Sequence, residues 1–253
     1  MRKNLGLIVL AFVFALPVFA QNKNETNFEL ITENRSLQAF DGIHVTGRFK
    51  VVLVPGETQT VSVTVPDKFL ETVETTVDNG VLYINMVDLK KGQDVGIFEN
   101  LKTKYNDYLL RQPIEIKIGM AGLKNITARG ASRIENEGTL KTDKLMLDIS
   151  GASKAELKID AQTFDAYLSE AVKVDVTGNA GQLALKANGA CAFNGADLHS
   201  KDAKVELNGA SRAEIHATES FDANLSGATK VVCTGSPKNI KQYASRGSSI
   251  TVK

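Results

Sequence analysis

Tryptophan is absent from the sequence, and proline, histidine and cysteine are scarce: five, three and two residues of 253. His44, His199 and His216 lie far apart and share no metal-ligand spacing, so no metal centre built on them is expected. Neither sign of charge dominates, with 30 Lys and Arg against 29 Asp and Glu, which argues against the basic footprint of a nucleic-acid binder. After Pro113 the only proline is Pro237. That scarcity suits strands bonded on both sides, which cannot spare their N–H groups. There is no Gly-rich loop opening a helix to cradle phosphate, and no Gly-x-Ser-x-Gly turn to present a nucleophile, so no cofactor and no catalytic residue is expected.

Long apolar runs are missing too, apart from Leu5 to Phe19. That run follows Met1-Arg2-Lys3 and ends in Val18-Phe19-Ala20, the pattern of a secretory signal peptide over residues 1–20. The product is then exported, to the periplasm or the cell surface. No cysteine near Ala20 offers a lipid attachment point. Residues 21–33 are polar and Asn-rich and read as a flexible leader, and residues 34–253 as a single domain.

What is present is a repeat. Asn208-Gly209-Ala210-Ser211-Arg212-Ala213 returns, with changes, around Gly130, Gly151, Gly189 and Gly227, and in degenerate form around Glu170 and Arg246. Successive steps are 21, 19, 19, 20, 18 and 19 residues. That period is too short for a two-helix repeat and fits one turn of a β-solenoid. Six before the Gly stand Leu145, Phe164, Leu183, Ala203 and Phe221; two before it, Ile149, Leu168, Ala187, Leu207 and Leu225; four after it, Ile134, Ala155, Val174, Phe193, Ala213, Val231 and Ile250. Apolar columns at even spacing are the inward positions of strands. The Gly marks a corner, where the Ala that follows it is expected to fit an inward bend and the Ser after that to pack inward or cap. Relaxed corners or small bulges are expected where Glu170 and Arg246 replace the Gly.

Before the repeat, residues 40–54 read as two short strands, Pro66-Asp67 as the start of a short helical turn, and Asn79-Gly80 as a hairpin turn. Phe40 to Met86 is expected to cap one end of the stack. Residues 88–112 break the pattern and read as a variable insertion, whose Tyr105 and Tyr108 are candidates for surface binding. The chain ends on a strand, Thr251-Val252-Lys253, which leaves an edge open to a second copy.

Two outward columns are candidates for chemistry. Arg133, Lys154, Lys173, Arg212 and Lys230 stand three after the Gly, and Glu135, Glu156, Asp175 and Glu214 five after. Two neighbouring carboxylates could cleave a glycan, but the adjacent cations would hold both ionised and leave no proton donor. Ser150, Ser169, Asn188, Asn208, Ser226 and Ser245 stand just before the Gly. They can bond along the stack or offer hydroxyls and amides to a sugar, although aromatics to accompany them are few: Phe164, Tyr167, Phe193, Phe221 and Tyr243. Cys191 and Cys233 fall two coils apart, about 10 Å at the strand spacing, beyond the reach of a disulfide. Two free buried thiols are expected.

The opening Phe40…Ile43-His44-Val45…Gly47…Val51-Val52-Leu53…Gly56, the strand Gly80-Val81-Leu82-Tyr83-Ile84, and Pro113-Ile114-Glu115-Ile116 leading into Gly130-Ala131-Ser132 resemble the head GIN domain family. These are exported bacterial proteins, frequent in Bacteroidetes and labelled auto-transporter adhesins. The resemblance implies a right-handed single-stranded β-helix of about 19–20 residues per coil with an N-terminal β cap, and no catalytic residues to carry over. No strands of a membrane barrel follow the repeat. The expected function is therefore a non-enzymatic binding or adhesion role at the cell envelope, with a surface glycan or envelope protein as partner. The alternatives are a carbohydrate-active or glycan-binding β-helix, and a structural periplasmic protein that assembles as a homo-oligomer through its terminal edge.

Overall fold

The computed structural model describes residues 29–87 and 114–253. The expected signal peptide, most of the leader, and the insertion with Tyr105 and Tyr108 lie outside the described residues. The strands are β1 (Leu30–Arg35), β2 (Gly42–Gly47), β3 (Phe49–Pro55), β4 (Thr60–Pro66), β5 (Val73–Asp78), β6 (Val81–Met86), β7 (Ile114–Met120), β8 (Asn125–Gly130) and β9 (Arg133–Asn136). They continue as β10 (Leu140–Ile149), β11 (Lys154–Glu170), β12 (Lys173–Gly189), β13 (Ala192–Gly209), β14 (Arg212–Leu225), β15 (Lys230–Thr234), β16 (Asn239–Ala244) and β17 (Ser249–Val252). A single 3₁₀ turn among the described residues, Asp67–Thr72, stands at the expected Pro66-Asp67 start.

Strands of successive coils pair parallel and in register, with Ala155 on Val174, Val174 on Phe193 and Phe193 on Ala213. The chain is thus a β-solenoid of about seven turns. Before each corner lies a first face, built in spatial order from β6, β2, β8 and the C-terminal parts of β10 to β14, then β16. After each corner lies a second face, from β7, β3, β9 and the N-terminal parts of β11 to β14, then β15 and β17. Leu140–Thr142, pairing with Ile159–Ala161, begins a third, shorter side.

Alternation along the strands sends one set of side chains into a continuous core that runs from Phe40 to Cys233. Within a coil, volumes compensate. Phe164 and Phe221, both fully buried, stand two residues before Ala166 and Ala223, whereas Leu145 and Leu183 stand two before Leu147 and Leu185. A large side chain beside a small one keeps the interior filled at constant coil size, as close packing requires. Cys191 and Cys233 are buried and unpaired, as expected, and burial raises the Cys233 thiol to about 11.

The corner is the tightest place. Gly151 has φ +85°, and a Cβ built on it would lie 2.1 Å from the Gly130 carbonyl oxygen beneath; at Gly209 the corresponding approach is to the Gly189 oxygen, 2.6 Å. Glycine is needed both for the left-handed backbone and for the close stacking. Glu170 corrects the expectation of a relaxed corner, because it keeps the left-handed conformation, φ 71°. In the last coil the positive φ falls on Gly247, one residue after Arg246. The alanines are also placed differently from expectation: Ala131, Ala152, Ala171, Ala190, Ala210 and Ala228 are exposed, and their N–H groups donate to the corner carbonyl of the coil below, as in Ala152 to Gly130, 2.7 Å. The residue that packs inward is the next one, buried at Ser132, Ser153, Ser211 and Thr229 and half-buried at Ser248 of the last coil. Ser132, Ser153, Ser211 and Ser248 each donate a hydroxyl to a corner carbonyl one coil below, at 2.9, 3.2, 3.0 and 2.9 Å.

The N-terminal end departs from the cap expected over Phe40–Met86. β2 and β3 form an interior rung, with Gly47 paired to Gly130 and Lys50 to Arg133, and β6 and β7 stack outside them. Among the described residues only β1, β4 and β5 run antiparallel to their neighbours, and they close the end. Gly47, φ +131°, makes the same kind of corner as Gly130, but 83 residues separate the two, so the sequence repeat conceals the kinship. The leader expected over residues 21–33 ends by Leu30, where β1 pairs with β4.

The corner predicts an asymmetry in urea denaturation. Gly151→Ala lowers stability by about 3 kcal/mol, from backbone strain and the carbonyl clash. Glu170→Gly shifts it by less than about 1 kcal/mol, because release of the left-handed strain is offset by chain entropy.

Candidate functional site

The outward positions of the two faces carry different chemistry. On the second face Lys50 pairs with Glu115 and Glu135 at 3.0 and 2.9 Å, and Arg133 with Glu135 and Glu156, both at 3.1 Å. Lys154 pairs with Glu156, and Lys173 with Asp175 at 3.1 Å. A cleft of about 290 Å³ lies among Lys50, Glu115, Glu135, Asn136, Glu137 and Glu156. Its best-placed carboxylate, Glu156, is held below the ordinary carboxylate value by its hydrogen bond to Lys154, against the opposing effect of burial. A general acid needs the reverse. Ala192 and Asn194 then interrupt the two columns before Arg212 and Glu214.

The first face differs. Three residues before each corner runs an in-register outward column: Tyr83, His44, Thr127, Asp148, Tyr167, Lys186, Glu206, Asn224 and Tyr243. Beside it, next to the corner, stand Arg129, Ser150, Ser169, Asn188, Asn208 and Ser226. Together they shape a groove of about 380 Å³ lined by Asp148, Tyr167, Ser169, Lys186, Asn188, Glu206, Asn208, Asn224 and Ser226.

Charges in this groove are balanced. Arg129 reaches Asp148 at 2.6 Å and Ser150 at 2.9 Å, and Lys186 reaches Glu206 at 3.0 Å. Glu206 is held ionised, first by Lys186 and then by Lys204. The amides and hydroxyls are less occupied. Asn208 Oδ1 accepts from the Gly209 N–H and the Ser226 hydroxyl, 2.8 and 3.0 Å. The side chains of Ser169, Asn188 and Asn224 have no hydrogen-bond partner among the described residues.

Of the residues singled out from the sequence, Gly130, Gly151, Gly189, Gly209 and Gly227 all have positive φ. The Ser and Asn column borders the groove. Phe164, Phe193 and Phe221 are core, whereas Tyr167 and Tyr243 are exposed on the first face. Aligning the repeat copies misses their company with Tyr83 and His44, whose rings stack with centroids 5.3 Å apart, because those two precede the recognisable repeat. It also misses the contact of His199 with His216, rings 4.6 Å apart and perpendicular. A register shift between Gly195 and His199 brings them together. Among the described residues no three His, Cys, Asp or Glu side chains are grouped to hold a metal, and no helix is long and apolar enough to cross a membrane.

Fold and faces define a β-solenoid with a ladder of ion pairs from Lys50 to Asp175 on one face and an open polar groove on the other. The chain belongs to the family described as "Putative auto-transporter adhesin, head GIN domain", whose model matches residues 39–237. Solved structures share the fold: a "putative adhesin" from Bacteroides fragilis (19% identity, TM-score 0.75, covering 88% of this chain and 96% of that one) and another from Parabacteroides merdae (17%, 0.71, 90% and 97%). A "putative lipid binding protein" from Parabacteroides distasonis is similar at 16% identity and TM-score 0.66, covering 90% and 98%. No curated protein matches the chain.

The imidazoles set an acid limit on stability. Burial lowers His44, aided by Arg129 and opposed by Asp148, and burial followed by the neighbouring His199 lowers His216, both from 6.5. With folded values depressed, the unfolded chain takes up more protons as pH falls through 6.5, and stability is lost there. The urea midpoint is expected to fall between about pH 7 and about pH 5.5, and a His44→Gln/His216→Gln double variant to flatten that step. A separate loss below 4.5 persists in the variant, because Glu156 and Glu206 have folded values below that figure.

Proposed function

We propose that this protein is exported and serves at the cell envelope as a non-enzymatic adhesin, binding its partner through the groove of the first face. The observation that carries the reading is the contrast between the faces. From Lys50 to Asp175 the second face pairs its charges with one another, whereas the first presents Ser169, Asn188 and Asn224 without side-chain partners among the described residues, beside exposed Tyr167. The adhesin description of the family supports it. A surface glycan or an envelope protein is the partner expected, and Tyr105 and Tyr108, outside the described residues, remain proposed as surface-binding residues on the strength of the sequence.

Protease added to intact cells tests this. Cleavage of the folded protein without lysis is the result expected of a surface adhesin, and protection until the outer envelope is opened would place it in the periplasm. Turnover of a polysaccharide that is saturable and lost in Glu156→Gln would replace adhesion by catalysis.

A second reading has its own observation. The last rung is bonded on one side only among the described residues: β16 pairs with β14, and β17 with β15. Every residue of β16 is exposed, and such an edge accepts another strand. If copies join end to end, sedimentation of the wild type shows a concentration-dependent dimer that Val252→Lys dissociates. A wild type that stays monomeric throughout removes this reading.

A further inference from the structure

The first face carries a regularity that neither its fold nor its charge pairs require. The exposed tyrosines among the described residues, Tyr83, Tyr167 and Tyr243, are 36%, 39% and 65% accessible, and all three stand in one outward column. Tyr83 leads through His44, Thr127 and Asp148 to Tyr167. Tyr167 leads through Lys186, Glu206 and Asn224 to Tyr243. Each interval is four rungs, about 19 Å at the usual strand spacing.

We propose that this face binds an extended neutral polysaccharide laid along the solenoid axis, with Tyr167 and Tyr243 as stacking platforms and the amides and hydroxyls between them as hydrogen-bonding partners. The proposal rests on the reading of the first face as the binding surface, and names its ligand class. A pyranose ring offers an apolar C–H face and a rim of hydroxyls that both donate and accept. A tyrosine offers a flat apolar ring with a polar tip. Ser169, Asn188 and Asn224 supply donors and acceptors with no protein partner among the described residues. Asn224 stands in the column between the two platforms, and Ser169 and Asn188 border it on the corner side, along the path a chain of several sugar rings would take.

Charge argues for a neutral ligand. Asp148 is matched by Arg129 and Glu206 by Lys186, so a polyanion would meet no excess of cations, and a nucleic acid would find no run of unpaired bases to bind its phosphates. A protein partner needs an apolar interface centre, yet the column between Tyr167 and Tyr243 holds Lys186, Glu206 and Asn224. Repetition fits the same ligand class. A polymer of identical units can meet similar groups at each rung, and the rungs here repeat with the backbone.

The test is affinity electrophoresis and calorimetry of the full exported protein with soluble neutral polysaccharides of several linkages (xylan, mixed-linkage glucan, mannan) and with size-fractionated oligosaccharides from any that bind. Affinity should rise with oligosaccharide length until the chain spans the two platforms. Tyr167→Ala and Tyr243→Ala should each weaken binding at least tenfold, with unchanged circular dichroism, while Tyr167→Phe retains most of it. Binding by no neutral polysaccharide, or equal binding by wild type and both alanine variants, overturns the proposal. Cell adherence measured with the same variants separates the two levels: adherence lost in Tyr167→Ala without polysaccharide binding sinks the ligand class and spares the groove, whereas adherence and polysaccharide binding both intact in the alanine variants sink the groove as well.

Discussion

The rest of the molecule depends on how closely successive coils approach at the corner. There the carbonyl of one coil accepts the N–H of the exposed alanine above it and, in many coils, an inward serine hydroxyl as well. At Gly151 the approach is so close that a Cβ would lie 2.1 Å from the Gly130 oxygen, whereas the Gly151 oxygen, which takes the Ala171 N–H but no serine hydroxyl, carries Glu170 above it. The corner therefore aligns one coil on the next to within a residue. Register of the inner and outer columns flanking the corner follows from that alignment, since strand side chains alternate from a fixed starting point.

The period of 18 to 21 residues and the apolar columns make the repeat region legible from the amino acids alone, because periodicity records what each coil must bury. The same cue is silent about β2 and β3. Their corner, Gly47, is built like Gly130, yet its neighbours along the chain are β4 to β7, so adjacency in space is not adjacency in sequence. The first-face groove is half legible. Its Ser and Asn column follows from counting back one residue from each Gly, but Tyr83 and His44 join the adjoining column only through pairing with β8 and β6. His199 and His216 are hidden for another reason: coils of unequal length shift the register locally, and counting from the Gly then places the two out of phase.

The two outer faces use one backbone for opposite ends. In-register stacking puts like residues above one another, and like charges in a column repel. The second face resolves this by setting an acidic column beside a basic one, so that Arg133 bridges Glu135 and Glu156 across coils. From Lys50 to Asp175 such pairing occupies the charged groups of the face with one another. The first face mixes its column instead, with acid, aromatic, base, acid, amide and aromatic in turn from Asp148 to Tyr243, and it places uncharged side chains beside them at the corner. Repulsion is avoided without using up the hydrogen-bonding groups.

The corner also determines where chain can be added. In the rung of β2 and β3, a single residue, Arg48, separates Gly47 from Phe49. One rung outward, Val45 lies against Ile84 and Phe49 against Ile114, so the corresponding link joins the end of β6 to the start of β7. Residues 87–113 span it. An insertion at a corner breaks no ladder, because the strands on either side keep their partners, whereas the same length inserted within a face would cost a rung its pairing.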